Sequence, residues 1–234
     1  KKKYFFCVGV MWLCCSASFI DRSYFLHPPS YFPEPVYELS NRHLVAEKID
    51  LGRVLFYDPF LSKDGTISCA SCHSPYNAFA HTEHALSHGI HDSIGTRNAP
   101  PLFNLAWQSS FMWDGAINHL DMQALAPISH RSEMGESLVH VVEKLQGEKL
   151  YRTMFKKAFG DSLITGQRTL KALSQFQLTL VSANSKYDQM RREELIFSQQ
   201  EEKGYKLFQI HCQSCHQEPH FSTFDFANIG LPVD

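Results

Sequence analysis

Four of the seven cysteines stand in two pentapeptides of one pattern, Cys69-Ala-Ser-Cys72-His73 and Cys212-Gln-Ser-Cys215-His216. Two thiols three positions apart on a helical turn lie on one side of it. They can add to the two vinyl groups of a single haem, and the histidine that follows then sits under the iron as its axial ligand. The same cysteines admit a zinc site built from two Cys-x-x-Cys pairs, but that chemistry leaves His73 and His216 unexplained. A thioredoxin-like redox pair calls for a βαβ surround, and neither motif is flanked by one. The expected cofactors are therefore two covalently bound c-type haems. Cys69, Cys72, Cys212 and Cys215 would be the attachment points, and His73 and His216 the iron ligands.

The elements that position these residues read as helical. The chain has 234 residues, 44% of them hydrophobic and 20% charged, which suits a packed core and excludes global disorder. A formal net charge of −2, from 22 basic and 24 acidic side chains, argues against a nucleic-acid binder. Leu44, Ile49, Leu51, Val54 and Leu55 suit a short helix within 41–56. Leu138, Val141, Val142 and Leu145 recur at helical spacing, as do Leu170, Leu173, Phe176 and Leu180 behind an N-cap at Thr165. Ser198 and Glu201 form a capping-box pattern opening a helix that runs toward Cys212. Residues 60–104 are loop-rich, with Gly65, Pro75, Gly89, Gly95, Pro100 and Pro101. So long an irregular stretch in a compact domain usually wraps something functional. Strand signals are weak throughout.

The N-terminal part reads differently. Lys1 to Lys3 precede an apolar run from Tyr4 to Phe19 that ends in small residues, the pattern of an export signal in residues 1–20. The run is short for a membrane span, which needs about 20 apolar residues. A buried N-terminal helix is the alternative, and Cys14 or Cys15 fits a lipid-attachment signal poorly. No Met precedes Lys1, so the chain reads as incomplete there. Residues 21–40, with Pro28, Pro29, Pro33 and Pro35, read as an extended leader. Export agrees with haem attachment outside the bacterial cytoplasm, so the expected location is the periplasm, with the N-terminus cleaved or kept as an anchor.

The run from Leu51 through Asp58-Pro-Phe-Leu-Ser-Lys-Asp-Gly-Thr-Ile-Ser to Cys69 and His73 closely resembles the bacterial dihaem cytochrome c peroxidases, including the MauG-like proteins. So do Arg97-Asn98-Ala99-Pro100, Phe111-Met112-Trp113-Asp114-Gly115, and Gln123 to Pro127 followed by Glu133-Met134, in family order at family spacing over residues 45–234. The resemblance implies a mostly α fold with two cytochrome c-type haem domains, loop-rich around the haems. Residues 41–183 would form the peroxidatic domain and 184–234 the start of the electron-entry domain. It also implies reduction of hydrogen peroxide to water, with electrons from a small donor such as a c-type cytochrome or cupredoxin, and it leaves a homodimer open.

Residue roles follow from the same resemblance. Glu133 matches the acid–base glutamate, which takes a proton from one peroxide oxygen and delivers it to the leaving one. Gln123 matches a distal amide that orients peroxide or water, and Pro127 a residue that shapes the pocket. Trp113 matches the tryptophan between the haems, with plain core packing as the bland alternative. Asn98 matches a ligand of an inter-haem calcium ion.

Three departures stand out. Ile90 occupies the position of the histidine that caps the first iron in many members, so an uncapped first haem is expected, unless His88 or His91 serves by a shift of register. His81 and His84 are weaker ligand candidates. Ala116 stands where members often have Arg. The chain ends 18 residues after His216, before the family's sixth ligand of the second haem, Met in peroxidases and Tyr in MauG-like proteins, so the second domain is expected to be incomplete. A MauG-like enzyme that oxidises residues of a partner protein, or a non-catalytic dihaem electron carrier, are the alternatives to a peroxidase.

Overall fold

The computed structural model describes residues 23–25, 27–38, 43–83, 85–228 and 230. The export run, Cys7, Cys14, Cys15 and His84 lie outside them. The central contact joins α1 (Ala46–Tyr57) to α7 (Gly166–Gln177). Leu51, Leu55 and Phe56 on α1 meet a core that includes Leu170, Leu173 and Phe176 on α7. Burying each such side chain contributes about 1.5–3 kcal/mol. The two backbones approach so closely that a Cβ on Gly52 would lie 1.9 Å from the Ala172 carbonyl oxygen. Only glycine permits that packing.

Thr165 caps α7 as its sequence suggests, its side chain accepting from Arg168 N at 3.2 Å. The helix stops at Gln177, short of Leu180, whose N–H closes a turn onto the Gln177 carbonyl. The pair α5 (Leu138–Gly147) and α6 (Lys149–Phe159) lines the same core through Val141, Leu145, Tyr151 and Phe155.

The leader departs from the sequence reading. Residues 23–25 form β1 (Ser23–Phe25), antiparallel to β2 (His43–Val45). Three-residue strands carry too short an alternation to be read from sequence. β2 also displaces the start of α1 to Ala46, and Val45 N donates to Gln175 Oε1 at 2.9 Å. The rest of the leader is extended but packed. Phe32 is buried edge-on against Trp107, whose indole N–H donates to Pro33 O at 2.8 Å. Tyr31 donates to Asp188 at 2.8 Å, and Tyr37 to Asp121 at 2.6 Å.

Between α1 and α5 the described residues form short 3-10 turns and the one-turn helices α2 (Cys69–Cys72), α3 (Leu120–Gln123) and α4 (Leu125–Ser129). Beyond α7 come α8 (Lys186–Arg191) and α9 (Gln199–His211). The expected capping box opens α9, with Ser198 N donating to Glu201 Oε2 at 2.8 Å. α9 buries none of its residues. Past it, the His220 ring rests on Phe32 and Trp107, with centroids 4.5 and 4.9 Å away. Among the described residues no helix is long and apolar enough to cross a membrane.

Candidate functional site

Ser68 and Ser71 form a reciprocal cap at the start of α2, which fixes the single turn carrying Cys69 and Cys72. Burial pushes the Cys69 thiol up to about 12 and raises that of Cys72 as well. Both are therefore neutral thiols at ordinary pH. His73 N donates to Cys69 O at 2.9 Å, which closes the turn. The His73 imidazole Nδ1 lies 2.9 Å from Phe79 O, and burial lowers its pKa. Donation from Nδ1 leaves Nε2 with its lone pair, the tautomer an axial ligand needs.

The second motif repeats this arrangement. Cys212 ends α9, His216 N donates to Cys212 O at 2.9 Å, and His216 Nδ1 lies 3.2 Å from Phe221 O. Cys212, Cys215 and His216 are exposed. Among the described residues no three His, Cys, Asp or Glu side chains converge on a metal-sized site. The four thiols therefore do not gather at one point, as a zinc tetrathiolate would require.

Two adjoining hollows meet at α2. One, open to solvent, is bounded by Cys72, His73, Asn98, Trp113, Gln123 and Glu133. The other has apolar walls from Phe56, Ile67, Leu102 and Met134 and is also lined by Cys69. Cys72, His73, Gln123, Pro127 and Glu133 border both. Two thiols, an imidazole and apolar walls fit a thioether-linked haem.

Opposite α2 stand the groups singled out from the sequence. Burial raises the Glu133 pKa, partly offset by His130, whose Nδ1 lies 3.4 Å from Glu133 Oε1. Glu133 is placed by its backbone: Ile90 N donates to Glu133 O at 2.8 Å, and a Cβ on Gly89 would lie 2.1 Å from Ser132 O. Gln123 Nε2 donates to Met112 Sδ at 3.7 Å. Its helix α3 is anchored through Asp121, which accepts from Tyr37, from Lys171 at 3.0 Å and from Ser174.

Ile90 is buried, and its side chain packs where a Cβ on Gly135 would fall. His88 Nδ1 pairs with Asp92 Oδ1 at 2.5 Å, and His91 Nδ1 lies 3.5 Å from Asp64. At this loop the hollow is bordered by Ser87 and Gly89. Trp113 is 51% exposed, so core packing does not describe it. Its indole N–H donates to Asn98 O at 2.8 Å, beside an Arg97–Asp114 ion pair at 2.9 Å. Asp114 Oδ1 also accepts from Ala116 N at 3.2 Å. The sequence reading missed Met112 and His130. The three-residue offset of His130 from Glu133 was the available signal for the second.

The di-haem cytochrome c peroxidase family profile matches residues 46–195. The chain belongs to the di-haem cytochrome c peroxidase family. It is 37% identical over 222 residues to the methylamine utilization protein MauG of Methylophilus methylotrophus, covering 93% of this chain and 64% of that protein. It is 32% identical over 210 residues to the cytochrome c peroxidase Ccp of Escherichia coli K12, covering 88% of this chain and 45% of the relative. A crystal structure of a MauG-like protein associated with microbial copper homeostasis superposes with a TM-score of 0.76 at 29% identity, covering 89% of this chain and 63% of that one. The chain thus spans about half to two thirds of the length of these family relatives.

Proposed function

We propose that this chain carries the peroxide-reducing centre of a di-haem enzyme that turns hydrogen peroxide into water with electrons from a small donor protein, a c-type cytochrome or a cupredoxin. The observation that carries the reading is one hollow shared by the two-thiol turn, the His73 imidazole, the Gln123 amide and a Glu133 carboxyl of raised pKa. A haem held by Cys69, Cys72 and His73 would supply the redox chemistry. Glu133 accepts a proton from one oxygen of peroxide and returns it to the other. A raised pKa suits a group that must both take and give. The Gln123 amide orients the substrate by hydrogen bonding, and Pro127 narrows the space beside it. Cys212, Cys215 and His216 would hold the second, electron-entry haem, with Trp113 on the route between. The Asn98 amide oxygen suits a calcium ion near that route. The proposed location is the periplasm.

Peroxide turnover by the haem-loaded chain, with reduced cytochrome c as donor, tests this reading. Glu133→Gln is expected to lower kcat by about 10²–10⁴-fold, and an unchanged rate would remove Glu133 from the chemistry. The 37% identity to MauG favours a second reading, in which residues of a partner protein are oxidised. Peroxide consumption without a reduced donor, accompanied by covalent oxidation of an added protein, would select it.

A further inference from the structure

Reduction of one hydrogen peroxide consumes two electrons and two protons: H2O2 + 2 H⁺ + 2 e⁻ → 2 H2O. A carboxylate that moves a proton from one peroxide oxygen to the other adds nothing to that total. Both net protons must enter from solvent.

His130 stands at the crossing. Its side chain is 52% exposed, it borders the same hollow, and its Nδ1 lies 3.4 Å from Glu133 Oε1. The turn folds around it. Glu133 N and Gly135 N both donate to His130 O at 3.0 Å, and Ser132 N donates to His130 Nδ1 at 3.4 Å when that nitrogen carries no proton. These bonds fix the main chain of the turn, and the ring meets it through Ser132 N beside the Glu133 carboxylate.

We propose that His130 is the proton-entry residue of this site, taking protons from solvent and passing them to Glu133. The proposal rests on the peroxidase reading above. In the step an imidazolium N–H bond breaks and a carboxyl O–H bond forms. The neutral imidazole then takes a proton from solvent, and no electron moves. The other titratable or charged groups on the hollow it borders are Glu133 from its own turn, Arg97, Cys72 of α2 and His73 just after α2, with Arg131 its neighbour in the chain. Arg97 is engaged with Asp114.

The test uses the haem-loaded chain as wild type, Glu133→Gln, His130→Gln and His130→Ala, the last with and without added imidazole. Both His130 variants are expected to lose about 10- to 100-fold in kcat. The loss should deepen as pH rises and protonated solvent donors become scarce. Imidazole should restore His130→Ala in proportion to its concentration. Infrared difference spectra supply a second readout: the carboxyl band of Glu133, identified by its loss in Glu133→Gln, should titrate at higher pH in His130→Gln. Wild-type rate and pH profile in both His130 variants, with Glu133→Gln inactive, would overturn the proposal and leave the peroxidase reading standing. A slowed His130→Ala that imidazole does not restore would overturn it too, as would an unmoved carboxyl band. A wild type that does not turn over peroxide removes both readings together.

Discussion

Glu133 is held in place by its main chain, through the Ile90 N–H and the turn that His130 begins, while its carboxyl meets the His130 ring. That division of labour suits the acid–base role proposed for it, which requires a change of protonation state without disturbing the wall. Because its pKa is raised, activity that needs the carboxylate form should fall on the acid side at a higher pH than for an ordinary glutamate. A kcat–pH profile checks this. Trp113 touches the opposite loop through its indole N–H, and Phe cannot make that bond. On the proposed reading, Trp113→Phe keeps its haem content and slows electron arrival at the first haem by about tenfold, read by stopped-flow absorbance; a bystander would show no change. The thiols and histidines of both motifs were legible in the sequence because the Cys-x-x-Cys-His pattern has a fixed spacing. His130 was not, since a histidine three residues from a glutamate looks like any solvated pair until the turn brings them together.

At the level of elements, short pieces do the positioning, and their neighbours supply the stiffness. The loop carrying Gly89 presses against residues 132–133 with no room for a side chain. Gly89→Ala must push the two apart. It is expected to cost about 1–3 kcal/mol and to lower kcat further than the stability loss alone predicts, as parallel thermal melts and rate measurements would show. The anchor of α3 carries its own pH signature. Burial raises the Asp121 pKa, but hydrogen bonds from Ser174, Tyr37 and Lys171 outweigh it and leave the pKa below the ordinary value. The stability this contributes is present above the unfolded-state pKa near 4 and is lost as pH falls through the folded value. Wild-type Tm should therefore drop more steeply below about pH 4 than that of Asp121→Asn, which gives up about 2 kcal/mol at neutral pH instead. Thr165 and Ser198 announced their helices because cap chemistry is local. β1 and β2 were hidden because a three-residue pairing is decided by distant packing. The end of α7 was misjudged because Leu180 is held by a turn, not by helical periodicity.

Across the whole molecule, the leader proves to be structural. Phe32 is buried, and it touches both Trp107 and His220. Phe32→Ala is expected to destabilise the chain by about 3–5 kcal/mol. It should also raise hydrogen exchange in residues 212–224 more than in α5 and α6, a pattern mass spectrometry resolves. The mostly helical character was readable from periodicity, whereas the leader's role was not, because proline-rich segments carry no period that reveals what their aromatic residues will meet. The placement of Phe32 makes residues 27–38 a common fastening for two distant points of attachment. A single protease nick in that strap would register at the second Cys-x-x-Cys-His motif, although the cut bond lies some 180 residues earlier in the chain.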